Sequence, residues 1–206
     1  MAIVTDPFQE ETFRPAFGRT LAGALIATCS LSALSLLGTG RDQVVLILPW
    51  LALVGFAAWA MYWRPEVRVD AAGVHVVNVF RTVDVPWPAI DEVDTRWALT
   101  LVTSLGDVRA WAAPAPGRQV MRRAQPEDRR MGGARRGDVV RPSDLPQTES
   151  GAAAQIVRQR WLRLRKDGYL DDARVEFDRL PTRWHVGVIA GFAVLVALTI
   201  YGTWFA

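Results

Sequence analysis

Three long apolar runs and one stretch of short alternations divide this chain of 206 residues. Residues 20–40 and 43–63 carry no charged side chain, and residues 184–206 contain no Asp, Glu, Lys or Arg. An α-helix rises about 1.5 Å per residue, so roughly 20 apolar residues cross a hydrocarbon core of about 30 Å, and a buried helix of a water-soluble domain is seldom apolar for so long. The pattern predicts three transmembrane helices, at residues 21–39, 43–63 and 184–206. The first run is too long for a signal peptide, its N-terminal flank is acidic as well as basic, and a second run follows at once. Arg41 and Asp42 are expected to make a tight outer turn, with the second helix antiparallel to the first and kinked at Pro49. Trp59, Tyr62 and Trp63 cluster where that helix should leave a bilayer, the depth such rings prefer.

Between the second and third runs the apolar period becomes two. Val67 and Val69 alternate with Arg68 and Asp70, and Val74 and Val76 follow the turn at residues 70–73. Asp first and Gly fourth suit a type I turn closed by a left-handed glycine, so these two strands form a hairpin. Arg81 and Thr82 offer a second reversal, after which Val83, Val85 and Trp87 return. Pro86 and Pro88 put that strand at a sheet edge, because proline donates nothing to a ladder. Ile90 and Val93 lead to the longest strand, where Trp97, Leu99 and Leu101 share a face that should be core. Gly106 and Asp107 turn the chain into a last strand at residues 108–111. The expected fold is membrane-anchored α+β, a small antiparallel β-barrel or sandwich beside transmembrane helices.

Further along, Ala153, Ile156, Val157, Trp161 and Leu164 recur at three- and four-residue spacing and predict a helix that closes the barrel and stops at Gly168. Arg158, Leu162, Arg165 and Lys166 lie opposite, a face that reads as solvated surface or as a lipid or partner site. Arg160 falls in or beside the apolar stripe, where sequence offers no reason for it. Residues 114–148 hold five prolines and eight arginines against four acidic residues, with no sustained apolar period. Such a segment buries too little to offset ordering costs of about 1 to 2 kcal/mol per residue and is expected to be a disordered insertion. In the connector, Val175 and Phe177 alternate and suit an edge strand or a segment lying against the barrel. The layout is an N-terminal tail (1–18), a helical hairpin (19–63), barrel strands (64–113), the insertion (114–148), closing helix and connector (149–183) and a third transmembrane helix (184–206).

Charge fixes the expected orientation. All but Arg14, Arg19 and Arg41 of the 24 Lys and Arg residues lie between the second and third runs. The positive-inside rule therefore places the N-terminus and the barrel in the cytoplasm and the C-terminus outside the plasma membrane. Lys166 is the only lysine, an arginine bias that points to a high-GC bacterial genome more than to a ligand, and no nucleic-acid partner is expected from a net charge of +3. Cys29, the single cysteine, precludes a disulfide framework or thiolate metal site within one chain.

The elements at residues 73–78 (GVHVVN) and 85–90 (VPWPAI), in their order with RWALTLVTSLGDVRAWAAP, resemble the bacterial pleckstrin-homology (PH) domain family of small actinobacterial membrane proteins, the low-molecular-weight protein antigen PH-like group. The resemblance implies strands that begin directly after a helical hairpin and a helix that closes the barrel. It bears on fold much more than on function.

Candidate chemistry is sparse. His75 sits among valines on a strand and reads as a surface histidine, while His185 borders the third run; two histidines are too few for a metal centre. Asp91, Glu92 and Asp94 lack the spacing of a calcium loop and read as solvated charges. Ser104 and Ser143 have no nucleophile motif around them, and no phosphate loop is present. No catalytic, cofactor or metal residue is assigned, and an enzyme is not expected. Gly187 and Gly191 fit the GxxxG pattern for close helix packing, a pattern that is also common by chance in such helices. No charged residue inside a span marks a transport path. Two roles follow: a scaffold or adaptor for an unidentified protein partner, or a module responsive to anionic lipid. Residues whose guanidinium groups would meet lipid are Arg118, Arg122, Arg123, Arg129, Arg130, Arg135, Arg136 and Arg141, unless the insertion is a plain linker. The turn at residues 70–73 lacks the basic residues with which familiar PH domains read phosphoinositides, which favours the scaffold.

Overall fold

The computed structural model describes residues 10–38, 40–115, 148–170 and 178–205. In chain order the strands are β1 Glu11–Phe13, β2 Glu66–Val69, β3 Gly73–Val77, β4 Arg81–Pro86, β5 Ile90–Asp94, β6 Ala98–Thr103, β7 Val108–Pro114 and β8 Thr182–Trp184. The helices are α1 Ala16–Ser35, α2 Arg41–Ala58, α3 Glu149–Lys166 and α4 Val186–Phe205. Two compact units result: Met1–Arg14 with Glu66–Asn78 and Thr82–Arg183, and Pro15–Pro65 with Val79–Arg81 and Trp184–Ala206.

In the first unit two antiparallel sheets form, one of five strands in the order β1-β2-β3-β4-β8 and one of three in the order β5-β6-β7. They do not close into the expected barrel. Alternation decides which side chains go inside: Val67, Val69, Val74, Val76, Val83 and Val85 from the first sheet meet Leu99, Leu101, Val108 and Ala110 from the second. Burying each valine or leucine contributes about 1.5 to 3 kcal/mol relative to leaving it in water. α3 covers this core with Ala153, Val157 and Leu164, the predicted stripe. Its start is set by Thr148, whose Oγ1 accepts a hydrogen bond from Gly151 N at 3.0 Å. Its end is the predicted glycine: Gly168 has φ +77°, and Tyr169 N donates to Leu164 O at 3.1 Å.

Where no ladder joins the sheets, Asn78 does. Its amide Nδ2 donates to Arg109 O at 2.9 Å and its Oδ1 accepts from Trp111 N at 2.7 Å, so one side chain presents to β7 the donor and acceptor of a neighbouring strand. Trp87 is buried, and its indole N–H donates to Asp70 O at 3.0 Å, pinning the short 3₁₀ turn Trp87–Ala89 beneath the first hairpin.

Several expectations about the strands need correcting. The second reversal falls at residues 78–80, so Arg81 and Thr82 already belong to β4, with Thr82 opposite Val77. β4 is interior, between β3 and β8, and tolerates Pro86 because that proline ends the strand. Gly73 is not left-handed; among the described residues the positive φ values are at Gly106 and Gly168. Gly73 is needed for closeness instead, since a Cβ there would lie 2.2 Å from Val85 O. The longest strand is β7, and Trp97 is not core: it is 73 % exposed. A register irregularity between Ala98 and Thr100 breaks the alternation, so the face of Leu99 and Leu101 does not extend back to Trp97. Near the N-terminus, Glu11–Phe13 pair with β2, where Phe13 opposite Val67 packs against the core. Val175 and Phe177 lie outside the described residues.

The second unit is helical. Ala16–Gly38, Arg41–Trp63 and Val186–Trp204 are each long and apolar enough to cross a membrane. α1 packs on α2 and α2 on α4. Arg41 and Asp42 stand in the first turn of α2 rather than in the connection, and α2 continues through Pro49 to a π-helical turn at Trp59–Trp63. Of the GxxxG pair, Gly191 is the residue used in packing: a Cβ there would come within 2.8 Å of the Phe56 ring, whereas Gly187 faces open space. Phe56 and Phe80 both meet Phe192 edge to face.

Candidate functional site

The first hairpin gathers the densest set of ionisable groups. Register places His75 directly opposite Asp84, and the turn brings Asp70 to its other side. His75 Nδ1 lies 2.6 Å from Asp84 Oδ1 and Nε2 lies 2.8 Å from Asp70 Oδ2. With a carboxylate at each nitrogen the ring donates twice, which only the imidazolium form does. Burial works against that charge, but the hydrogen bonds to Asp84 and Asp70 outweigh it and hold the His75 pKa above its ordinary value. Asp70 is shifted the other way: burial disfavours its anion, yet the N–H groups of Gly73 and Ala72 and the His75 ring hold its carboxyl below the ordinary value. Asp84 is shared further with Arg183 Nη2 at 3.1 Å. His75, read from sequence as a surface residue, is therefore half-buried at the centre of a four-residue cluster. Its signal was the pairing itself, because a reversal at residues 81–82 would have put Pro88 opposite His75, while the true one puts Asp84 there.

A second network stands at the start of β2. Buried Glu66 accepts from Arg14 Nε at 2.6 Å and from Arg68 Nε. Burial would raise its pKa, but the two guanidinium groups overcome that and lower it. Arg160, unexplained by sequence, is buried and reaches Glu11 Oε1 on β1 at 3.2 Å. The hairpin thus presents Asp70 at its turn, with Arg68 turned to Glu66 and His75 held between carboxylates. This is a poor cradle for an incoming phosphate.

The remaining candidates separate. Asp91 and Glu92 are exposed at one end of β5, and no group of three or more His, Cys, Asp or Glu that could hold a metal occurs among the described residues. Ser104 is exposed in the β6–β7 turn. His185 belongs to the helical unit, where Arg64 Nη1 lies 2.7 Å from its Nδ1 and donates to Val79 O at 3.2 Å. Arg118, Arg122, Arg123, Arg129, Arg130, Arg135, Arg136, Arg141 and Ser143 lie outside the described residues. Sequence reasoning missed a surface feature: Trp97 is 73 % and Trp111 51 % exposed, and both flank the irregular β6–β7 pairing, where Ala115 N donates to Trp97 O at 3.0 Å. Arg96 and Arg109 are exposed beside them.

The first unit is thus two antiparallel sheets covered by one helix. Residues 64–139 match the family described as Bacterial PH domain, so this part of the chain is PH-like. PH domains are typically non-catalytic modules that mediate protein or lipid interactions. No curated protein and no solved structure matches the chain.

Proposed function

We propose that this protein is a non-enzymatic scaffold or adaptor, anchored in the plasma membrane by its three apolar helices and binding a protein partner at the cytoplasmic face through its PH-like unit. The exposed pair Trp97 and Trp111 carries this reading. In the same strands and turns Leu99 and Trp87 are buried while these two rings stand in solvent, and tryptophan is the side chain most often found at the energetic centre of protein interfaces. The inward side is supported by the arginines, nearly all of which lie between the second and third spans. Pull-down of the full chain from native membranes should recover one partner at fixed stoichiometry, and Trp97→Ala with Trp111→Ala should lose it. Unchanged recovery by the double variant would overturn the reading. A Ser104→Cys chain with Cys29→Ser should resist an impermeant thiol reagent in intact cells; efficient labelling would reverse the orientation.

A second reading, a module responsive to anionic lipid, is favoured by the excess of arginine over acid in residues 114–148. At about 1 kcal/mol per basic residue near a negative leaflet, a few simultaneous contacts give weak, salt-sensitive adsorption. A peptide spanning 114–148 should then co-sediment with anionic vesicles and not with neutral ones. Equal recovery with both would leave that segment a linker.

A further inference from the structure

The two faces of α3 differ, and the outward one breaks the usual pattern. Inward, Ala153, Val157 and Leu164 are buried. Outward, a helix packed on one side is expected to be polar, yet Leu162 is 55 % exposed there. Arg158 lies four residues before Leu162 and Lys166 four after, with Arg165 three after, so these cations share its face, and Arg163 is its chain neighbour. Asp167 is the only acidic residue in 158–167. Part of this charge is already engaged, since Arg158 Nη2 donates to Val93 O at 2.7 Å and the Arg165 guanidinium stacks 5.5 Å from the Trp161 ring.

A leucine ringed by cations suits a boundary where hydrocarbon meets negative charge. The leucine leaves water while the long basic stems lie along apolar surface and carry their heads to phosphate oxygens. A purely acidic soluble segment would satisfy the cations and leave Leu162 in water. We infer that the outward face of α3, centred on Leu162 and carried by the exposed Arg163, Arg165 and Lys166, adsorbs to the surface of an anionic phospholipid bilayer. The chain keeps a bilayer within reach, because only residues 167–185 separate α3 from a helix apolar enough to span one. This contact uses neither Trp97 and Trp111 nor any arginine of 114–148, so it stands or falls independently of both readings.

The test uses the full chain with Cys29→Ser and Leu162→Cys, labelled with an environment-sensitive dye and reconstituted into phosphatidylcholine vesicles with or without phosphatidylglycerol. Lipids carrying a shallow spin label should quench the dye in the anionic vesicles and not in the neutral ones, and molar salt should reverse the effect. Each cation removed in Arg163→Gln and Lys166→Gln should weaken the contact roughly fivefold, whereas the charge-keeping pair Arg163→Lys and Lys166→Arg should retain it with the same melting temperature. Equal quenching in both vesicle types, or no response to the glutamine variants, would overturn the inference. So would a dye shielded from aqueous quencher but untouched by lipid quencher, since protein would then cover the face.

Discussion

The same residue types behave oppositely in the two units. In the strands, Val74 and Val76 are fully buried and Leu99 is too; in the helices, Val194 is 57 % and Leu31 68 % exposed. Water would not tolerate the second arrangement over three helices of this length, because exposed apolar surface of that extent drives association. Hydrocarbon would, since lipid tails are as apolar as leucine and every helix satisfies its own backbone. The contrast fits a chain built for two solvents, and on that reading burial within the protein measures stability only in the unit that faces water.

Substitutions can break that comparison. The largest effect is expected at Leu99, where Leu99→Ala should lower the stability of the full chain by about 2 to 5 kcal/mol, while Leu31→Ala in α1 should change it by no more than about 0.5 kcal/mol. Equal losses would erase the distinction. Next, Val194→Arg in α4 should cost about 2.5 to 3.5 kcal/mol in an insertion assay of the third span, although the same change at an exposed position of the first unit, Gln159→Arg, should be nearly neutral. A silent Val194→Arg would mean that α4 faces water. Gly73→Ala should destabilise the first unit by about 1 to 3 kcal/mol, because the new methyl meets the backbone of β4 and cannot move aside.

The smallest effect is expected from pH. The raised pKa of His75 means that its contribution is complete below the ordinary histidine value of about 6.5 and fades as pH rises through the folded value. Glu66 and Asp70, with lowered values, contribute above the ordinary carboxylate range and lose that contribution as pH falls. Denaturation of the wild type should therefore show a decline of about 1 kcal/mol on the alkaline side of that histidine value, and His75→Gln should flatten it. A decline that survives in His75→Gln would show that the cluster is not its source.

What sequence could reveal follows the range of the interactions. Apolar runs of about 20 residues and valine alternation are local, and both led to the observed elements. The register of the second hairpin turned on a reversal misplaced by two residues, which hid the His75–Asp84 pair. Trp97 leaves the face of Leu99 and Leu101 because an irregular pairing interrupts the alternation, and local pattern does not show such a break. β1 has three residues, too few for a period, and its role is seen only once Glu11 meets Arg160, 149 positions away. The open sheets were likewise beyond reach, since the Asn78 side chain that links them works across 31 and 33 positions.

On this reading exposure means water in one unit and lipid in the other. Ser104 and Val194 are both exposed, one in the β6–β7 turn and one on α4. In a Cys29→Ser background, Ser104→Cys and Val194→Cys chains in native membranes can be treated with a membrane-permeant maleimide, which needs a thiolate formed in water. Residue 104 should react rapidly and residue 194 almost not at all until detergent and denaturant are added; comparable rates at the two positions in intact membranes would show that both face the same solvent.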